Sequence, residues 1–219
     1  MGAELLGTSL LLFVIVGSGI AAQSLGTDLA GQLLAHAVAV GLGLAVLVLL
    51  FQTVSGSHFN PAVTAALWWE GTLESHQAIR YFLAQITGGV LGVIVANVTF
   101  DLPPFAIATT TRPGWGRLVA ESVATFVLVL VILALVRVGE PSAIPAAAGA
   151  WVAAIVFATA STGFANPAVT VARALTDTYT GIAPRSVPGF IAAQMLGGLL
   201  AVPLARSLYP RPVPQSASA

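Results

Sequence analysis

No cysteine and no lysine occur among the 219 residues, and charge of either sign is scarce: eight arginines supply every side-chain cation against eight acids, 7% charged in all. The missing cysteine excludes disulfides, thiolate nucleophiles and cysteine-ligated metals. A zero net charge leaves no basic field for nucleic acid, so a nucleic-acid partner is excluded. A soluble domain of this size carries about 25% charged residues. So few charges cannot cover a water-facing surface, and with 57% hydrophobic residues most of that surface must face lipid. The three histidines, His36, His58 and His76, are dispersed and spell no metal site.

Long apolar runs replace the missing charge. A spanning helix needs about 20 mostly apolar residues, and six stretches qualify, near 4–22, 29–53, 78–99, 116–137, 145–161 and 186–208. The first lies where a secretion signal would, but it has no basic start, opens on Glu4 and has a later counterpart, so it reads as a membrane helix. Turn chemistry separates the runs at 26–28, 101–104, 137–141 and 180–184. Two further segments, 60–69 and 166–175, follow Asn-Pro and are too short to span, which makes them candidate re-entrant half-helices. Residues 1–208 read as one membrane domain, and the Pro/Ser/Ala-rich tail 209–219 reads as disordered.

The chain repeats itself. Ala3-Glu4 returns as Ala120-Glu121, Asn60-Pro61-Ala62-Val63-Thr64 as Asn166-Pro167-Ala168-Val169-Thr170, and Ala84-Gln85 with Gly88-Gly89 as Ala193-Gln194 with Gly197-Gly198. Order is kept and the offsets are similar, about 117, 106 and 109 residues. The repeats cover approximately 3–99 and 116–208. Each holds three spans, an odd number, so the second enters the membrane from the opposite side and the fold is an all-α inverted repeat. Small residues at spacing four, Ala84, Gly88 and Gly92 in one half and Ala193, Gly197 and Ala201 in the other, suit close helix packing.

Asn caps helices well and Pro favours their first position, so Asn-Pro is by itself a helix start. Two such starts at the ends of short segments entering from opposite faces do more. Each N-terminus carries roughly half a positive charge, and two that meet at the midplane repel cations, hydronium included. Amide donors from Asn60 and Asn166 pointing into a lumen would orient passing water and break a proton-conducting chain. The irregular backbone before each Asn, 55–59 and 161–165, is tolerable at membrane depth only if it lines a wet cavity.

The segment Ser-Gly-Ser-His-Phe-Asn-Pro-Ala-Val-Thr (55–64), the second Asn-Pro-Ala (166–168), the helix-opening glutamates and the Ala-Gln-x-x-Gly-Gly runs resemble the aquaporin/aquaglyceroporin (major intrinsic protein) family over about residues 3–208. The resemblance implies six tilted helices plus two half-helices, a pore in each subunit, homotetramers, no cofactor and no chemical turnover. It also implies multi-pass insertion in the cell's inner (plasma) membrane with cytoplasmic termini. The arginines do not decide the orientation: four fall on each side.

In that family the residue after the second Asn-Pro-Ala is usually Arg, lining an outer constriction with three other side chains. Here it is Val169, and ungapped carry-over places the others at Val40, Ala154 and Gly163, all small and apolar. The pattern resembles an Arg-lacking bacterial branch associated with arsenic resistance, which implies passage of neutral metalloid hydroxides and glycerol-like polyols as well as water. A water-selective channel is the alternative. Arg173, a turn beyond Val169, is expected in the outer vestibule or paired with Asp177, the alternative being that its guanidinium leans back toward the place left vacant at Val169. Glu4 and Glu121 are expected to brace the re-entrant loops, as is His58; His36 and His76 are expected at the membrane interface, and Trp68 and Trp69 as anchors. A secondary transporter also uses inverted repeats, but it would want a midplane carboxylate for coupling, and an ion channel would want a charged ring.

Overall fold

The computed structural model describes residues 1–25 and 28–210. Eight α-helices run in chain order: α1 Gly2–Leu25, α2 Leu29–Ser55, α3 Pro61–Trp69, α4 Ser75–Thr99, α5 Trp115–Arg137, α6 Ile144–Ala158, α7 Pro167–Ala172 and α8 Val187–Leu208. Six are long and apolar enough to cross a membrane once the short 3₁₀ turns that lead into α6 and α8 are counted. The chain is therefore a multi-pass membrane protein. Residues 211–219, most of the tail expected to be disordered, lie outside the described residues.

The helix boundaries follow local chemistry. Asp28 caps α2 by accepting from the Gly31 amide, and Gly56 at φ 82° ends it. The fifth span begins earlier than expected, at a 3₁₀ turn over Pro141–Ala143, and stops at Ala158 rather than 161. Pro141 and Pro145 suit a helix start. The stop follows from the next loop, where Thr162, Gly163 and Ala165 all take positive φ. The second short segment is helical only to Ala172, then tightens into a 3₁₀ turn over Arg173–Leu175.

Close packing joins α1 to α4 and α5 to α8, the matching pairs of the two repeats. The small-residue stripes make these contacts possible. A Cβ on Gly88 or Gly92 would run into the carbonyls of Leu5 and Ser9, and one on Gly197 into that of Ser122. The halves meet through α2 and α6, where Gly41 and Gly149 bring backbone against backbone. Leucines and valines such as Leu42, Val46, Leu49 and Leu200 stay exposed on the outer surface, as a lipid-facing helix requires.

Candidate functional site: two half-helices across a central cavity

The short helices α3 and α7 start as their sequence dictates. Asn60 Oδ1 accepts from the Ala62 amide at 2.9 Å. Asn166 Oδ1 accepts from Ala168 at 2.9 Å and Val169 at 3.3 Å. With both Oδ1 atoms committed to capping, each Nδ2 reaches across to the opposite loop: Asn60 donates to the Ala165 carbonyl and Asn166 to that of Phe59, each at 2.8 Å. Far apart in sequence, the two asparagines thus share one patch, and both line the central cavity. The expectation that both amide groups point wholly into the lumen needs correcting. One hydrogen of each is spent on the opposite loop, which leaves one per Asn for a passing solute.

The loops that deliver these caps carry strained backbone. Phe59 (φ 47°) and Ala165 (φ 49°) precede the asparagines, and Ser57 (φ 50°) and Thr162 (φ 62°) stand just before them. Left-handed conformations at non-glycine residues cost of order 1–3 kcal/mol each and persist where the surroundings over-determine them. Two buried carboxylates supply the constraint. Glu4 accepts from the amides of His58 and Phe59, from Ser55 Oγ and from Gln85 Nε2, at 2.6 to 3.0 Å. Glu121 accepts from the amides of Phe164 and Ala165 and from Gln194 Nε2, at 2.6 to 2.9 Å. Both glutamates are fully buried. His58 lines the cavity, its Nδ1 stands 3.0 Å from Thr64 Oγ1, and its ring meets Tyr81 edge-on.

The cavity has a volume of about 480 Å³. One wall is His36, Val40, Leu44 and Val48 of α2, and the opposite wall is Ile144, Ala148, Val152 and Val156 of α6, each a stripe at spacing four. Val40, Gly163 and Val169 lie on the lining, as does Arg173. Ala154 does not: it sits between the α6 stripe residues and is exposed on the outer surface. Ungapped counting lands it on the wrong face, and Val152 and Val156 hold the places facing the lumen.

Two other expectations change. Arg173 lines the cavity although it is only 3% exposed, and it does not pair with Asp177. Its guanidinium lies 3.4 Å over the centre of the Phe164 ring, and Nε donates to the Thr180 carbonyl. The Asp177 carboxylate instead accepts from the amide and hydroxyl of Thr109, at 2.8 and 3.0 Å. His36, expected at the interface without a partner, is buried on the cavity wall with Nδ1 2.8 Å from Ser18 Oγ and its ring edge-on to Tyr179. Trp68 and Trp69 are half exposed at the end of α3, where Trp68 Nε1 donates to Ser75 Oγ.

One contributor went unforeseen. Arg112, in the loop between α4 and α5, donates from Nε to the Gly181 carbonyl at 3.1 Å and lies 4.9 Å from the centre of the same Phe164 ring. Burial, then the nearby Arg117, pushes its pKa down to about 10, so it remains protonated at neutral pH. Nothing local in the sequence marks it, because its place depends on how the loop folds back over α7.

Comparison with known proteins fits this geometry. The family described as Major intrinsic protein matches over residues 1–165 and 115–219. The chain is 43% identical over 206 residues to an aquaglyceroporin, AqpS, of Rhizobium meliloti, covering 94% of this chain and 88% of that protein. It is 34% identical over 169 residues to aquaporin Z of Photorhabdus laumondii, covering 68% and 71%. Its fold is similar to the X-ray structure of the aquaglyceroporin from Plasmodium falciparum, with a TM-score of 0.76, 22% identity and 95% of both chains covered. Paired Asn-Pro-Ala half-helices, buried loop braces and these relatives agree: the chain belongs to the major intrinsic protein family and is a membrane channel for small uncharged solutes, not an enzyme.

Proposed function

We propose that this channel passes glycerol-like polyols and neutral metalloid hydroxides such as arsenite, as well as water, through one pore per subunit. The reading rests above all on the neck. Where the family usually carries Arg there is Val169, flanked by Gly163 and Val40. Such a neck lacks the side chain that would narrow it to a water file, and its apolar wall suits the carbon face of a polyol. Donors and acceptors at the Asn60–Asn166 patch suit the hydroxyl face. The similar AqpS is named an aquaglyceroporin, which favours the same reading.

Stopped-flow permeability of proteoliposomes across water, glycerol, urea and arsenite is the test. Val169→Arg is expected to cut glycerol and arsenite flux far more than water flux. A wild-type channel that passes water alone, or equal loss of both fluxes in the variant, would overturn the wide-neck reading in favour of a water-selective channel. The family resemblance supports homotetramers with cytoplasmic termini. Cross-linking in membranes and reporter fusions at both ends check these, and a periplasmic C-terminus would reverse the orientation.

A further inference from the structure

We propose that the mouth of the pore at Arg173 is a binding site for a small monovalent oxyanion, of the nitrate or formate type. The inference goes beyond the neutral-solute reading and stands on the charge balance of this mouth. Arg173 is the single charged side chain among the residues that line the cavity, and no carboxylate lines it. The guanidinium is buried, yet no Asp or Glu among the described residues lies within 4.0 Å of it or of Arg112. The nearest candidates are engaged elsewhere: Asp177 by Thr109, and Glu121 by two loop amides and Gln194. Two cations therefore face one aromatic ring at the end of a cavity, with Glu121 acting on them only from beyond ion-pair distance and no carboxylate in contact among the described residues.

A buried ion without a partner is costly, and the cost falls when an anion or ordered water fills the space. The donor geometry says which anion. Arg173 spends Nε on the Thr180 carbonyl, and among the described residues neither of its Nη atoms donates to a protein acceptor. Those two nitrogens form a planar fork that matches two oxygens of one anion. Stacking on Phe164 holds the plane of the fork. Arg112 adds a second charge beside it, with Nη1 close to the Ser161 carbonyl and to the hydroxyl of Thr162, a lining residue. A halide would satisfy the charge but use the fork less well, and a bulky or divalent anion would carry more hydration than this pocket replaces. Beyond Arg173 the wall turns apolar at Val40 and Val169. The anion is thus held at the mouth, in the path of the neutral solute, and competes with it.

Isothermal titration of nitrate into the purified detergent-solubilised channel tests this directly, with gluconate as the bulky control. Saturable nitrate binding, absent with gluconate, is expected. In proteoliposomes, glycerol flux measured at constant osmolarity should fall saturably as nitrate replaces gluconate. Arg173→Gln should raise the nitrate concentration for half inhibition at least about tenfold, Arg173→Lys less, and Arg112→Gln less again. No saturable nitrate binding by the wild-type protein overturns the proposal, as does binding or inhibition unchanged in Arg173→Gln. If Arg173→Gln fails to fold, the Arg112→Gln and Arg173→Lys shifts decide, and unchanged affinity in both counts against it. Absence of glycerol flux in gluconate would defeat the polyol reading alone, since the titration needs no transport.

Discussion

The two re-entrant loops share a skeleton and differ at the mouths they open. Glu4 and Glu121 hold their loops through the same pair of amides and the same glutamine, and Phe59 and Ala165 turn through nearly the same left-handed angle. Even the aromatic packing corresponds: His58 meets Tyr81 at 5.2 Å between ring centres, and Phe164 meets Phe190 at 5.3 Å. One turn beyond the matching valines, Val63 and Val169, the halves part: Leu67 lines the cavity in the first and Arg173 in the second. The shared skeleton is what makes a pore through a bilayer possible. On the wide-neck proposal, the divergent mouths are where selectivity is set.

The largest effects should come from the shared skeleton, and in equal measure from both halves. Replacing Glu4 or Glu121 by Ala strips a loop of its acceptor and leaves two buried amides unmatched, at about 1–3 kcal/mol each. Each substitution should sharply lower the thermal stability of the detergent-solubilised channel, read by fluorescence-detected size exclusion on heating. A large loss in only one of the two would break the equivalence. The Asp double variant at Asn60 and Asn166 tests the next level. Asp caps as well as Asn but cannot donate to the Ala165 and Phe59 carbonyls, so the variant should fold with reduced stability, and two negative charges against the helix starts should weaken cation exclusion. Liposome proton and sodium leak is the readout, and unchanged leak would count against the dipole barrier.

What could be read from the sequence is the self-contained part of this design. Asn caps, Pro starts and glycine contacts are local, and their recurrence declares the topology before any coordinate is known. The partners of Arg173 and His36 and the face taken by Ala154 are not legible for the opposite reason. The site of Arg173 is made by residues from elsewhere: the 101–114 loop pairs Ala106 and Ala108 with the carbonyls after α7, and the Thr180 carbonyl swings back to meet Nε. His36 reads as a stray polar residue until Ser18 on α1 and Tyr179 on a distant loop are seen against it. Ala154 fails by half a turn, because the loop after α6 is irregular and counting back through it carries no helical register.

A smaller effect sharpens the comparison at the matched rings. His58→Phe should lose one hydrogen bond to Thr64, about 1 kcal/mol. Phe164→Leu should release the Arg173 guanidinium from a buried cation–π contact of about 2 kcal/mol, and unlike His58→Phe it should change the ratio of glycerol to water flux. Equal flux ratios in the two variants would make the mouths functionally alike.

The smallest effect concerns the far ends of the half-helices, where the repeats use different chemistry at corresponding positions. At the end of α3, Glu70 receives Arg137 Nη2 and Arg206 Nε, each at 2.7 Å; beyond α7, the hydroxyl of Thr176 donates to Asn97 Oδ1 at 2.8 Å. Asn97 and Arg206 occupy matching places on α4 and α8, so a charged lock on one face answers a neutral one on the other. Burial works to raise the Glu70 pKa, but hydrogen bonds and charge from Arg206 and Arg137 outweigh it and hold the carboxyl below its ordinary 4.5. For a depressed acid, the stabilisation is full above the unfolded-state value and lost as pH falls through the folded one. The Glu70 lock should therefore be intact at neutral pH and fail below about pH 4.5, while the Thr176–Asn97 lock does not titrate. Arg206 is nearly half exposed, so screening limits its share to roughly 1 kcal/mol, a few degrees of melting temperature for a chain of this length, while Arg137 meets Glu70 out of reach of water. Melting curves of wild type and Glu70→Gln from pH 7 to 3 should differ most at neutral pH and converge in acid. A constant gap across that range would show that Glu70 acts by packing alone, and a gap that widens in acid would reverse the sign of the argument.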